Sequence, residues 1–129
     1  MFSYGILNIH PGLLPQNRGL DSILWAIKKN YKIGISAHLI NDKIDAGRLI
    51  LNQVVVPKKN DNIFDIYKKV FEAQINILPI AYNEINLNKT YEILKTLDYN
   101  SYMTVTTQEN TLNNLKSYIA NYSKISFDE

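Results

Sequence analysis

Three side chains in this sequence, Asn8, His10 and Asp45, could together transfer an acyl group to an amine. An asparagine amide can donate a hydrogen bond to the oxyanion that forms on an attacked carbonyl, and one such donor typically contributes about 10²–10³ in rate. An imidazole, with an unperturbed pKa near ~6.5, can exchange a proton near neutral pH or place positive charge beside the oxyanion. A carboxylate can orient the imidazole and pass the amine proton outward through water.

Asn8 and His10 lie at the end of a short apolar run, residues 2–9, which is typical of a buried strand. Side chains two apart on a strand point to the same face, and the turn Pro-Gly-Leu-Leu-Pro that follows could hold the pair in one orientation. Asp45 lies in a polar loop, residues 41–47. The plainer alternative is that Asn8 and His10 only satisfy loop backbone groups, and that Asp45 is an ordinary loop residue.

Composition limits the classes of protein to which the chain can belong. Its 129 residues can form one domain with a genuine core. The formal charge is +2, from 14 basic and 12 acidic residues spread along the chain, which disfavours a dedicated nucleic-acid binder. The absence of cysteine excludes disulfides and fits a cytoplasmic location. The lack of a signal sequence or of about 18 consecutive apolar residues disfavours secretion and membrane insertion.

The hydrophobic pattern predicts alternating strands and helices. A helix with Asp21 as its N-cap is indicated by apolar residues at helical spacing up to Ile27. Alternation over residues 32–40 predicts a strand, and the aliphatic run 48–56 predicts a well-buried one. A long helix opens at residue 61 or 62, and Pro79 should kink or restart it. Residues 101–107 favour a strand, and a short helix follows around residues 112–119. This order predicts an α/β fold.

Three segments resemble the catalytic half of the folate-dependent formyltransferases: NIHPGLLPQNRG, GISAHLINDKIDAG and RLILNQVVV. That family includes glycinamide ribonucleotide, methionyl-tRNA and amino-sugar N-formyltransferases. The resemblance covers roughly residues 4–84. It implies part of an open, mostly parallel sheet with flanking helices. Residues 1–86 would form the catalytic half, and residues 87–129 a C-terminal extension of undefined structure. It also assigns the catalytic roles to Asn8, His10 and Asp45.

The resemblance further implies 10-formyltetrahydrofolate as co-substrate and a small-molecule amine as acceptor. No metal is expected, because two histidines with one nearby aspartate are thin evidence for a metal site. The loop that begins at Leu39 would form one wall of the folate site, through Leu39, Ile40, Asn41, Asp42 and Ile44. Gly12 and Arg18 would contact the substrate, although Arg18 could equally be a surface charge. His38 has a counterpart in many family members, but it could also be a purely structural histidine.

In the family, a nucleotide-binding-like βαβ half precedes the strand that carries Asn-x-His, and this sequence begins at that strand. The resemblance therefore leads us to expect a truncated or split enzyme, in which a separately encoded N-terminal half could complete the site. The alternative is a non-catalytic interaction module with the same fold. An apolar strand left open at the start of the chain also predicts a homo-oligomer. The motif leans toward the amino-sugar branch of the family.

Overall fold

The computed structural model describes residues 5–40, 48–85, 92–93 and 98–125. Short strands and helices alternate along these residues. The strands are β1 (Ile6–His10), β2 (Arg18–Gly19), β3 (Gly34–Ile40), β4 (Arg48–Val54), β5 (Glu92–Ile93) and β6 (Tyr99–Asn100). The helices are α1 (Ser22–Lys29), α2 (Ile63–Ile85), α3 (Val105–Asn113) and α4 (Leu115–Ala120), followed by a 3₁₀ turn at Tyr122–Lys124.

Four strands form one sheet in the order β1-β3-β4-β5, and each neighbouring pair is antiparallel. The expected mostly parallel sheet is therefore wrong for the described residues, where only the short pair β2 and β6 is parallel. One physical reason lies in the connection between β3 and β4, which is only the seven residues 41–47. Parallel neighbours need a crossover of about a dozen residues or more.

The core lies between the sheet and helices α1 and α2. β3 is buried on both faces, as expected for a central strand. β4 is mostly half-buried, with Arg48 and Gln53 exposed, so the well-buried strand predicted there is wrong. The reason is its position in the sheet, since β4 pairs along its length with β3 but at only two positions with β5.

Two details of the helices differ from the sequence prediction. Asp21 directly precedes α1, but its side chain makes no capping hydrogen bond and its φ of 48° is left-handed. Its carboxylate accepts a hydrogen bond from the Met103 amide instead, because residue 103 packs against the start of the helix. Pro79 lies inside the single helix α2, so the predicted restart there is wrong. Pro79 is on the exposed side, where water can bond the carbonyl that proline leaves unpaired.

The strand predicted at residues 101–107 is also wrong, because α3 begins at Val105. The run of β-branched residues favoured a strand, but the hydroxyl of Thr104 accepts a hydrogen bond from the Thr107 amide and caps the helix. The short helix predicted after it is confirmed by α4.

The C-terminal segment belongs to the same core as α1 and α2. Tyr118 and Tyr122 are buried in it, and the Tyr122 hydroxyl donates to the carbonyl of Val55 at 2.9 Å and accepts from the Ile33 amide at 3.2 Å. Burial raises the pKa of both phenols, that of Tyr122 to about 12. None of the described helices is both long enough and apolar enough to cross a membrane.

Candidate active site

The polar face of strands β1 and β3 brings Asn8, His10 and His38 together. Asn8 lies opposite His38 in the antiparallel register, and His38 Nε2 is 3.2 Å from Asn8 Oδ1. The two imidazole rings meet edge to face with centroids 6.5 Å apart. His38 is 1% exposed, whereas the Asn8 side chain is exposed to solvent. The exposed amide of Asn8 is therefore held by a buried partner, His38.

The protonation of His10 follows from its partner. Nε2 of His10 lies 2.8 Å from the main-chain oxygen of Asn17, and a carbonyl oxygen can only accept. Nε2 must therefore carry the proton. The Ser22 hydroxyl, 3.3 Å from the same nitrogen, donates to the carbonyl of Gly19 and so presents its lone pairs to the imidazole. In the neutral ring, Nδ1 is consequently the basic nitrogen.

The turn after His10 is fastened to β3 through Ser36. Its hydroxyl donates to the carbonyl of Gly12 at 2.7 Å and accepts from the Leu14 amide at 2.9 Å. Gly12 lies directly under the bond between His10 and Asn17, because a Cβ there would lie 3.0 Å from His10 Nε2 and 2.7 Å from the Asn17 oxygen. Glycine is therefore needed at position 12 for packing, and its substrate contact remains a prediction.

Of the remaining predicted site residues, the structure describes Arg18, Leu39 and Ile40. Arg18 pairs with Tyr99 in the parallel pair and holds its guanidinium 5.6 Å from the centroid of that ring. Leu39 and Ile40 are the last residues of β3, Leu39 buried and Ile40 half-buried. Four predicted residues lie outside the described residues: Asn41, Asp42, Ile44 and Asp45. The meeting of Asp45 with His10 therefore remains a prediction.

Sequence reasoning did not single out Asn17 and Ser22, the two residues that hold the imidazole of His10. Asn17 is 1% exposed, and its side-chain nitrogen donates to the carbonyl of Ser22 at 2.7 Å. The available signal was an asparagine seven residues after His10. The sequence does not show that this asparagine is buried, because distant parts of the chain bury it. Its side-chain oxygen accepts from Asn100, 83 residues away, at 2.9 Å.

A cleft of about 460 Å³ opens beside Pro11, the residue after His10. One wall is the start of α1, including Asp21, and the other is α2, with Tyr67, Phe71 and Gln74. Burial, and then the negative charge of Asp21, raise the pKa of Tyr67, so its phenol remains a neutral hydrogen-bonding group. The cleft is mainly apolar with a few polar groups, as is typical of small-molecule sites.

Comparison with known proteins identifies the family. Residues 1–82 match the family model described as formyl transferase. The chain belongs to this formyltransferase family. Formyltransferases are enzymes, and the resemblance carried by NIHPGLLPQNRG, GISAHLINDKIDAG and RLILNQVVV is thereby confirmed at the level of the family and its enzyme class.

One similar relative is a dTDP-4-amino-4,6-dideoxyglucose formyltransferase of Mycobacterium bovis. It is 26% identical over 110 residues, which are 73% of this chain and 47% of that protein. This formyltransferase chain therefore spans about half the length of that relative.

Two solved structures share the fold. A 4-N formyltransferase from Francisella tularensis matches with a TM-score of 0.64 and 26% identity, over 82% of this chain and 50% of that one. The formyltransferase PseJ from Anoxybacillus kamchatkensis, solved with UDP-4,6-dideoxy-4-formamido-L-AltNAc and tetrahydrofolate, matches with a TM-score of 0.63. Its identity is 23%, over 94% of this chain and 64% of that one. The α/β fold is thus that of the formyltransferases.

Proposed function

We propose that this chain supplies the catalytic face of an enzyme that transfers a formyl group from 10-formyltetrahydrofolate to the amine of a small molecule. The observation that carries the proposal is that β1 places an exposed Asn8 amide and a His10 imidazole of defined tautomer two residues apart, each held by a different partner. A non-catalytic interaction module, the alternative, has no need of this pair.

Asn8 is the group that would stabilise negative charge. Because Oδ1 of Asn8 accepts from His38, its Nδ2 is turned away from that histidine. An exposed amide held in this way can reach the oxygen of a bound formyl group. A donor already in place when charge develops there lowers the barrier, since it need not reorganise during the reaction.

His10 is the group that would move the proton. As the acceptor nitrogen bonds to the formyl carbon, Nδ1 of His10 can take the proton that the amine loses. The bond between the formyl carbon and the folate nitrogen then breaks, and that nitrogen gains a proton from His10 or from water. Asp45 is proposed to stabilise the imidazolium, as the family motif implies.

The acceptor is proposed to be the amino group of a nucleotide-linked amino sugar. Support comes from the name of the Mycobacterium bovis relative and from the formamido sugar bound in the PseJ structure. The cleft beside Pro11 adds aromatic surface from Tyr67 and Phe71, which can pack on a sugar or a base. Leu39 and Ile40, with Asn41, Asp42 and Ile44, are proposed to line the folate site.

The test is a formyl-transfer assay that follows both tetrahydrofolate release and the mass of the formylated acceptor. Because the chain spans about half of its relatives, it is assayed alone and mixed with the N-terminal half of the Francisella tularensis enzyme. We expect turnover with the mixture, about 10²–10³-fold less with Asn8→Ala, and loss of turnover with His10→Ala. Asn60→Ala, on the exposed turn before α2, is the matched control and should be fully active.

Two results would overturn the proposal. One is turnover that does not depend on Asn8 and His10. The other is no transfer in the mixture, while the intact homologue is active with the same donor and acceptor.

A further inference from the structure

Asn17, whose carbonyl holds His10, is itself held at both ends of its side chain. Its Nδ2 donates to the Ser22 carbonyl at 2.7 Å, and its Oδ1 accepts from Nδ2 of Asn100 at 2.9 Å. With 1% exposure, the Asn17 side chain cannot exchange these partners for water. The orientation of its peptide, and hence of the oxygen that meets His10, depends on them.

Asn100 comes from the C-terminal segment, outside the residues 1–82 that match the family model. It is 4% exposed, and its Oδ1 accepts from Lys29 Nζ at 2.7 Å. Its carbonyl accepts from the Leu20 amide at 2.9 Å. Gly19 has a φ of 104°, and a Cβ there would collide with the Asn100 main chain. The strand β6 therefore packs closely against Gly19, two residues after Asn17.

Two further bonds fasten the residues that follow Asn100. The indole nitrogen of Trp25 donates to the Ser101 carbonyl at 2.8 Å, and the Met103 amide donates to Asp21 Oδ2 at 2.8 Å. The segment 98–103 is thus fixed to α1 by contacts that do not involve Asn17. These contacts allow the effect of the Asn100 side chain to be separated from that of docking the segment.

We propose that Asn100 is a positioning residue for His10 and acts through Asn17. The chain of bonds runs from the Lys29 ammonium to Asn100, from Asn100 to Asn17, and from the Asn17 carbonyl to Nε2 of His10. Its consequence is that the neutral imidazole keeps its proton on Nε2 and its basic lone pair on Nδ1. The catalytic importance of this tautomer rests on the proposed function, but the positioning itself does not.

The variant that tests the proposal is Asn100→Asp. It keeps the size of the side chain and an acceptor for Lys29, but a carboxylate cannot donate to Asn17 Oδ1. The matched control is Trp25→Phe, which removes the bond to Ser101 but keeps an aromatic ring beside Lys29, whose ammonium lies 5.2 Å from the Trp25 ring centroid. The readout is the ¹⁵N chemical shifts of the imidazole nitrogens at about pH 8, where an ordinary imidazole is neutral.

The chain has only two histidines, so both can be assigned. In the unmodified protein we expect His10 to be mainly in the Nε2–H form. Asn100→Asp should shift its tautomer ratio toward Nδ1–H by about threefold or more, whereas Trp25→Phe should not. The signals of His38, which has a different partner, serve as an internal reference.

Unchanged His10 shifts in folded Asn100→Asp, or an unmodified protein with His10 in the Nδ1–H form, would overturn the proposal. A second measurement needs no variant. The side-chain amide protons of Asn100 should exchange slowly with water and show nuclear Overhauser contacts to Asn17, and rapid exchange would also overturn it. These readouts require no formyl donor, so the proposal can fail or hold whatever the formyl-transfer assay gives.

Discussion

Nε2 of His38 lies 3.2 Å from Oδ1 of Asn8, across a directly opposed pair of residues in β1 and β3. His38 is buried, and Asn8 is exposed. A buried partner thus sets the direction of an exposed amide. We therefore expect His38 to act by holding Oδ1 of Asn8, which leaves Nδ2 of that amide to meet another partner.

The first prediction concerns His38. His38→Ala should lower kcat in the reconstituted assay about 3- to 10-fold with little change in KM, because one oriented hydrogen bond contributes about 0.5–1.5 kcal/mol. His38→Gln should recover part of the loss, since its amide can donate to Asn8. Steady-state kinetics at saturating donor would measure both. Full kcat in His38→Ala would show that Asn8 is oriented by other contacts.

The sequence motif was sufficient to predict the pair on β1. A strand ending in Asn-x-His must place both side chains on one face, and the alternation of β3 placed His38 on its polar side. The direction of the strands was not predictable in this way. The sheet of the family is mostly parallel, but the resemblance does not indicate which part of that sheet this chain forms. The strands β1, β3, β4 and β5 form an antiparallel sheet.

The contacts that hold His10 could not be predicted from the sequence either. Asn17 is one of many asparagines in the chain, and its burial depends on Asn100, which pairs with it across 83 residues. The β-branched side chains of Val105 and the threonines after it favour a strand, but residues 105–113 form a helix that the Thr104 side chain caps. Local patterns predicted the elements better than they predicted the contacts between distant segments.

The second prediction concerns Ser36, which fastens the turn after His10 to β3. Ser36→Ala would leave both the Gly12 carbonyl and the Leu14 amide unpaired at a site that is 0% exposed. We expect a loss of about 1–3 kcal/mol in the free energy of unfolding, measured by urea denaturation. Ser123→Ala, at an exposed position, should stay within about 0.5 kcal/mol of the unmodified protein. Equal stability of the two variants would contradict the proposed role.

The third prediction concerns stability at high pH. The pKa of Tyr122 is about 12 in the folded chain, against an ordinary value of 10.0, because its phenol is buried. A raised pKa means that the folded state holds the proton more tightly. The resulting stability is complete below pH 10 and is lost as the pH rises toward 12.

Tyr122→Phe should therefore be less stable than the unmodified chain at pH 9, through loss of the bond to Val55. Its urea midpoint should fall less steeply between pH 10 and 12. Tyr118 remains in both proteins, and its pKa is raised first by burial and only then by the charge of Tyr122, so Tyr122→Phe removes only the smaller of the two causes. Parallel pH profiles for the two proteins would show that the Tyr122 phenol does not titrate with unfolding.

The last prediction concerns assembly. Among the described residues, β1 pairs only with β3 and is an edge of the sheet, and Ile6 on it is 49% exposed. Within the part of the C-terminal segment that the structure describes, the strand β6 pairs with β2 and not with β1. Exposed apolar edge strands commonly pair with another chain. We therefore predict self-association at micromolar concentration through β1, measured by light scattering after size-exclusion chromatography.

Ile6→Lys should weaken this self-association about tenfold or more, since an edge lysine opposes strand pairing. Val56→Lys, which replaces an apolar side chain 64% exposed beyond β4, should associate like the unmodified chain. A monomer throughout this concentration range, or equal loss with both lysine variants, would exclude pairing through the β1 edge.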